Sequence, residues 1–133
     1  MNKTAFIEWM MIAYHDYKSA QILFEANHYT DSIGNDLQQA IEKSLKSILA
    51  FHNKKIPKTH DLFEIYDSID DIILNEYQID FLDIATEYFK EDRYPNPNYS
   101  LPSREEIKQV LDFTEDLLKD ICKIFNINFD EIK

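Results

Sequence analysis

Apolar residues recur every three or four positions along most of this chain, which is the spacing of a helix face that packs on a core. The first such stripe consists of Phe6, Met10, Ala13, Tyr17, Ala20 and Phe24. The second consists of Ile33, Leu37, Ile41, Leu45, Ile48 and Leu49. Residues 27–31 interrupt the pattern, and Thr30 or Asp31 is available there as an N-cap. Two long helices are therefore predicted, the second ending near Phe51 or His52.

Three further helical segments follow. Thr59 or Asp61 can cap a third helix after the connection that contains Pro57, and a break is expected near Asp70 or Asn75. The third helix carries Leu62, Phe63, Tyr66 and Ile69, and the fourth carries Phe81, Leu82, Ala85, Tyr88 and Phe89. The last helix carries Ile107, Val110, Leu111, Thr114, Leu117, Ile121 and Phe125.

The ends of these last segments are also predicted. Residues 92–102 are expected to form an extended loop, because three prolines there restrict their own conformation and that of the preceding residues. Ser103 with Glu106 makes a capping-box signature at the start of the last helix. The tail, residues 126–133, is expected to be ordered only in part.

Composition favours one helical domain. The chain has 133 residues with one Gly and four Pro. Tight hairpins and Gly-rich phosphate loops are disfavoured, because few residues here readily adopt a positive φ. An all-β fold, a Walker-type loop and a dinucleotide fingerprint are all disfavoured. We predict an all-α fold, a single up-and-down antiparallel bundle of four to five helices over residues 1–133, with its core at about 5–125.

The sequence shows no sign of a metal site or of a membrane segment. The lone Cys122 falls on the apolar stripe of the last helix, so it is interpreted as a core residue, and no metal or other cofactor is expected. Residues 1–14, broken by Glu8, lack an apolar run long enough for a signal peptide or a membrane span. A cytoplasmic soluble protein is expected.

Charge is distributed unevenly. The net charge is −11, but residues 43–60 contain five lysines and no acid. Since an acidic surface repels nucleic acid, general RNA or DNA binding is disfavoured. Only this stretch, together with Arg93, could offer a local anion site, unless the lysines merely solvate a helix end and a loop.

Polar side chains gather at three places beside the apolar stripes. Gln38, Glu42 and Lys46 stack at i, i+4 and i+8 along one border of the second helix. His60 in Lys58-Thr59-His60-Asp61-Leu62 sits at a predicted helix start, whose positive partial charge disfavours a cationic ring. Arg93, in Arg93-Tyr94-Pro95, is suited to bind a phosphate or carboxylate with two hydrogen bonds, and Tyr94 to stack on a base. The structural alternatives are a surface ion pair between Glu42 and Lys46, a His60 that bonds a loop carbonyl, and an Arg93 paired with a nearby acid.

The order and spacing of these three motifs resemble the HEPN family, the small helical domains named for nucleotide binding in higher eukaryotes and prokaryotes. The resemblance covers roughly residues 6–125. It implies a homodimer and either a nucleotide ligand or a role as companion of a small nucleotidyltransferase, as in a toxin–antitoxin pair. The catalytic branch of the family is recognised by an Arg followed four to six residues later by His. Here the only arginines are Arg93 and Arg104, and no histidine follows either one, so ribonuclease activity by that route is not expected.

Three hypotheses remain open from sequence. The leading one is a dimeric binding module whose ligand contacts are Gln38, Glu42, Lys46, His60, Arg93 and Tyr94. The second is a ribonuclease toxin with an unusual active site, in which His60 and Glu42 act as acid and base. The third is a structural dimeric adaptor, in which Glu42, His60 and Arg93 form a network that only fixes the bundle. Dimerisation has some support in helix one, where Ile7, Trp9, Met11 and Tyr14 broaden the apolar face.

Overall fold

The computed structural model describes residues 1–93 and 100–133, with side chains for residues 1–90 and 100–133. Within this part of the chain, five α-helices and one short 3-10 helix follow one another. They are α1 (Lys3–Glu25), α2 (Thr30–Phe51), α3 (Leu62–Asp67), α4 (Glu76–Arg93), α5 (Arg104–Ile124) and a terminal 3-10 helix (Phe129–Ile132). The predicted all-α bundle is confirmed.

Helix α2 forms the centre of the bundle. It packs against α1, α3, α4 and α5, and every residue of its predicted apolar stripe is buried. Several of its polar side chains are buried as well, and Ser44 Oγ, for example, donates to the carbonyl of Ile41 at 2.7 Å. A helix covered on nearly all sides must satisfy its polar groups internally, because water cannot reach them.

The stripes predicted on α1 and α5 are also buried, except at their last aromatic residues. Phe24 and Phe125 are half-buried. Phe125 closes one end of the bundle, where its ring lies 4.8 Å from that of Phe6 and 4.6 Å from that of Phe51. The backbone N–H of Asn2 donates to the carbonyl of Phe51 at 2.8 Å, so the start of α1 is tied to the end of α2.

Asparagine takes the place of glycine at three helix ends. Asn27, Asn53 and Asn126 follow α1, α2 and α5 with φ of 56°, 57° and 57°. In each case the next residue donates its N–H back to a carbonyl in the last helical turn, as from Ile127 to Cys122 at 2.9 Å. This is the Schellman arrangement, which needs a left-handed residue, and asparagine tolerates that conformation best after glycine. A chain with a single glycine therefore still ends its helices sharply.

That single glycine marks a close approach between α2 and α4. A Cβ added to Gly34 of α2 would lie 2.9 Å from Cγ and Cδ2 of Tyr88 on α4. These ring atoms are near the root of the side chain, so they cannot move aside without shifting α4. Gly34 therefore lets α4 lie against α2.

Several predicted helix ends are confirmed and others are corrected. Asp61 caps α3 and Ser103 caps α5, each through its side chain. The N-cap of α2 is Tyr29, without a side-chain cap bond, rather than Thr30 or Asp31. Helix α4 continues through Arg93, so the predicted loop was placed too early at residues 92 and 93. The restriction from the first proline reaches back only to the residue directly before it.

The tail differs most from the prediction. Residues 129–132 form the terminal 3-10 helix, which Asn128 and Glu131 close with a capping box. Ile132 is fully buried and Ile127 nearly so. The two isoleucines supply enough apolar burial to order a segment that has no helical periodicity of its own.

The tail also covers part of the face suggested as a dimer interface. The ring of Tyr14 contacts that of Phe129 at 5.7 Å, and Ile7 and Met11 likewise pack on the core. These three side chains are therefore used within the chain. Dimerisation stays a prediction.

Cys122 is buried as predicted, and burial raises the pKa of its thiol to about 11, with a smaller contribution from Glu131. In the part of the chain that the structure describes, no helix is long and apolar enough to span a bilayer.

Candidate functional site

The carboxylate of Glu42 is the centre of a buried polar cluster. Only 5% of the residue is exposed, and three side chains donate to it. Lys46 Nζ lies 2.9 Å from Oε2, while His60 Nδ1 and Gln38 Nε2 lie 2.8 and 3.0 Å from Oε1. We call these four residues the Glu42 cluster.

Burial by itself raises the pKa of Glu42. The hydrogen bonds from Lys46, His60 and Gln38 act in the opposite direction and outweigh it, so the pKa lies below its usual range. Glu42 is thus ionised at neutral pH. An ionised carboxylate can only accept hydrogen bonds, so Nδ1 of His60 must carry a proton.

Gln38 connects α2 to the segment between α2 and α3. Its Nε2 donates to the backbone carbonyl of His60 at 3.0 Å, in addition to Glu42, and its Oε1 accepts from Gln39 Nε2 at 2.6 Å. The residue is fully buried. Gln38 therefore ties the backbone of His60 to α2.

The residues around His60 hold it in position. Thr59 Oγ1 accepts from the N–H of Asp61 at 3.1 Å, and the side chain of Asp61 caps α3. The N–H of Leu62 donates to Thr86 Oγ1 of α4 at 3.0 Å. Because these bonds fix the chain on both sides of His60, they restrict the position from which its ring extends.

The imidazole itself is half exposed, with 49% of the side chain accessible. One face stacks on Phe89 of α4, with ring centroids 4.2 Å apart and planes 25° apart. Nε2 has no hydrogen-bond partner among residues 1–90 and 100–133. Among these described residues, the ring is therefore oriented by Glu42 at Nδ1 and by Phe89 on one face.

Four of the six residues predicted to bind a ligand are thus brought together, namely Gln38, Glu42, Lys46 and His60. The side chains of the other two predicted residues lie outside the described part of the structure: Arg93 is the last residue of α4, and Tyr94 follows it. The periodicity of α4 predicted Phe89 only as a residue of its apolar face. The signal that it belongs to the site was its position on α4 four residues before Arg93.

The chain matches the family model of the HEPN domain over residues 7–125. It belongs to the HEPN family. The crystal structure of TT1696 from Thermus thermophilus has the same fold, with a TM-score of 0.78 at 21% sequence identity, covering 93% of this chain and 99% of that one. Comparison with curated proteins gave no significant match.

In this HEPN domain, part of the lysine-rich stretch is neutralised internally. The side chain of Lys46 is 8% exposed and bound to Glu42, and Lys43 Nζ lies 2.6 Å from Asp16 Oδ2 of α1. The ion pair between Glu42 and Lys46 therefore exists, but it is buried rather than on the surface. The ring of His60 bonds Glu42 of this pair through Nδ1.

Lys46 precedes His52 by six residues, which imitates the spacing of the family's Arg-to-His motif with Lys in place of Arg. His52 Nε2 lies 2.9 Å from Asp71 Oδ2, in a different ion pair from that of Lys46. Among the described residues, no group of three or more His, Cys, Asp and Glu side chains is arranged to hold a metal ion.

Proposed function

We propose that this HEPN domain is a binding module that holds a nucleotide at the Glu42 cluster, with Arg93 and Tyr94 as further contacts. The observation that carries the proposal is the oriented, half-exposed ring of His60, fixed at Nδ1 by Glu42 and on one face by Phe89. A ring that is already oriented loses little freedom when it binds a ligand.

An anion would suit the cluster when both ring nitrogens of His60 carry a proton. The charges of Glu42 and Lys46 cancel, so the attraction comes from His60 when it is protonated and from Arg93. A phosphate oxygen would accept a hydrogen bond from Nε2 of His60 and two from the guanidinium of Arg93. Tyr94 would stack on the base.

Burial divides the predicted residues into two roles. Gln38, Glu42 and Lys46 are at most 6% exposed, so we assign them to holding His60 in place. His60 is the exposed member of the cluster and would make the direct contact, together with Arg93. Loss of a buried member should therefore lower both stability and affinity, whereas loss of His60 should lower mainly affinity.

The test is isothermal titration of the protein with ATP, GTP, AMP and GMP at low salt. We expect His60→Ala to weaken binding by about tenfold or more, because a charge-assisted hydrogen bond is lost. The matched control is His28→Ala, which removes an exposed histidine from the α1–α2 connection and should leave binding unchanged. The proposal would be refuted if none of the four nucleotides showed saturable binding.

One observation favours ribonuclease activity as a second candidate. The contact between Glu42 and His60 is the geometry in which a carboxylate orients a histidine for acid–base catalysis. RNA degradation by the purified protein that disappears in His60→Ala and persists in His28→Ala would establish this candidate. Equal residual degradation in both variants would indicate a contaminating nuclease.

The family also supports a protein partner, a small nucleotidyltransferase with which this chain would form a toxin–antitoxin pair. Purification from the native cell at low salt, followed by mass spectrometry, tests this role. Stoichiometric recovery of such an enzyme would establish it. Recovery of the chain alone, combined with lower melting temperature but unchanged affinity in His60→Ala, would favour the structural adaptor.

A further inference from the structure

Two adjoining depressions run along the outer side of α5, away from the Glu42 cluster. Their volumes are about 400 and 340 Å³. They share Gln78 of α4, and Asp120 of the first lies one helical turn from Asp116 of the second. Together they form one groove between α5 and the segment that leads into α4. We call it the acidic groove.

Three exposed large apolar side chains of the molecule lie in this groove. Ile73 is 89% exposed, Tyr77 65% and Ile124 44%. The ring of Tyr77 packs edge-on against that of Phe81, with ring centroids 4.9 Å apart. Apolar side chains gathered in a concave, polar-rimmed surface are typical of a site that binds another protein.

The rim of the groove is strongly acidic. It contains five carboxylates, Asp70, Asp71, Asp112, Asp116 and Asp120, against the single cation Lys123. Asp71 is paired with His52 and Asp112 with Lys108. The other three, Asp70, Asp116 and Asp120, have no ion-pair partner among the described residues.

Three of these carboxylates lie along α5. Asp112, Asp116 and Asp120 follow one another at intervals of four on α5, and like charges at that spacing repel each other. Cations placed along the groove would relieve the repulsion, and an apolar side chain between them would cover Ile73 and Ile124. Nucleic acid is the wrong ligand for this surface, because phosphates would meet the carboxylates.

We propose that the acidic groove docks a basic amphipathic segment of a partner protein, with Lys or Arg side chains on the carboxylates and an apolar side chain on Ile73 and Ile124. A second copy of this chain is a poorer occupant, since each copy carries a net charge of −11. The proposal is independent of the nucleotide site, because the groove shares no residue with the Glu42 cluster.

The test is fluorescence anisotropy with a labelled amphipathic peptide made only of Lys and Leu. Two further peptides serve as references, one with Glu in place of Lys and one with Ser in place of Leu. The groove variants are Asp116→Asn with Asp120→Asn, and Ile73→Ser. The control double variant, Glu8→Gln with Glu25→Gln, changes the net charge equally at exposed positions of α1. The control for Ile73→Ser is Ile22→Ser, which is exposed on α1 as well.

We expect each groove variant to weaken binding of the Lys and Leu peptide about fivefold, and the controls less than about twofold. The two reference peptides should bind much more weakly. Equal weakening by the groove and control double variants would overturn the proposal, since net charge alone would then attract the peptide. Self-association in sedimentation that Ile73→Ser abolishes would also overturn it, because the groove would then join two copies.

Discussion

The buried ion pair between Glu42 and Lys46 leads to a prediction that tests the whole candidate site. The two side chains are only 6% and 8% exposed, so water screens their charges little. Lys46→Met keeps a similar volume but leaves the carboxylate without its cation. Breaking a buried pair in this way costs about 3–5 kcal/mol. Because His60 and Gln38 still donate to Glu42, we expect the free energy of unfolding to fall by only about 2–3 kcal/mol.

The converse change, Glu42→Gln, leaves the ammonium of Lys46 buried with only an amide oxygen. We expect this variant to lose at least as much free energy of unfolding as Lys46→Met. The double variant should be more stable than the sum of the two losses predicts, by about 1–3 kcal/mol, because it leaves no uncompensated charge. These free energies correspond to a fall in melting temperature of about 10 °C for each single variant.

Urea unfolding followed by helical circular dichroism measures all three values. Lys108→Met is the matched control, since Lys108 and Asp112 form an ion pair at the same spacing, 2.7 Å apart, with both side chains more than half exposed. That variant should lose less than about 0.5 kcal/mol. If Lys46→Met were as mild as Lys108→Met, or if the two single losses simply added, Glu42 could not be the buried anchor that orients His60.

Three other predictions concern the fold and the charge state of the site. Gly34→Ala should lower the free energy of unfolding in urea by about 1 kcal/mol. The added methyl group would overpack against Tyr88, and this cost outweighs a gain of about 1 kcal/mol in helix propensity. A variant more stable than the parent would contradict the close approach of α4 to Gly34. Asn27→Ala should lower stability by about 1 kcal/mol and Asn27→Gly should not, because only the former strains the left-handed residue. The lowered pKa of Glu42 means that its stabilising contribution is present above the ordinary glutamate value of about 4.3 and is lost as the pH falls through the folded-state value. Unfolding free energies measured over an acid pH series should therefore fall less steeply in Glu42→Gln than in the parent, and parallel curves would contradict the assignment.

Much of the candidate site could be read from the sequence because its spacing is local. Gln38, Glu42 and Lys46 are successive turns of one helix, so their stacking follows from helical geometry alone. The caps at Asp61 and Ser103 are equally local, since each side chain bonds a backbone N–H three residues away. The apolar stripes could also be predicted from sequence, because residues three or four positions apart lie on the same face of a helix.

The tertiary structure decided which distant groups meet. His60 and Glu42 are separated by 18 positions, and only the path of the connection between α2 and α3 brings Nδ1 to the carboxylate. Phe89 reaches His60 because Gly34 allows α4 to lie against α2. The ordered tail likewise depends on the space that α1 and α5 leave for Ile132.

The amino-acid sequence by itself therefore determined the helices, their buried faces and three members of the Glu42 cluster. The packing of α4 on α2, the orientation of His60 and the acidic groove were decided only in three dimensions. The physical reason is that helix periodicity is set by hydrogen bonds between near neighbours, whereas these features depend on contacts between side chains far apart in the chain.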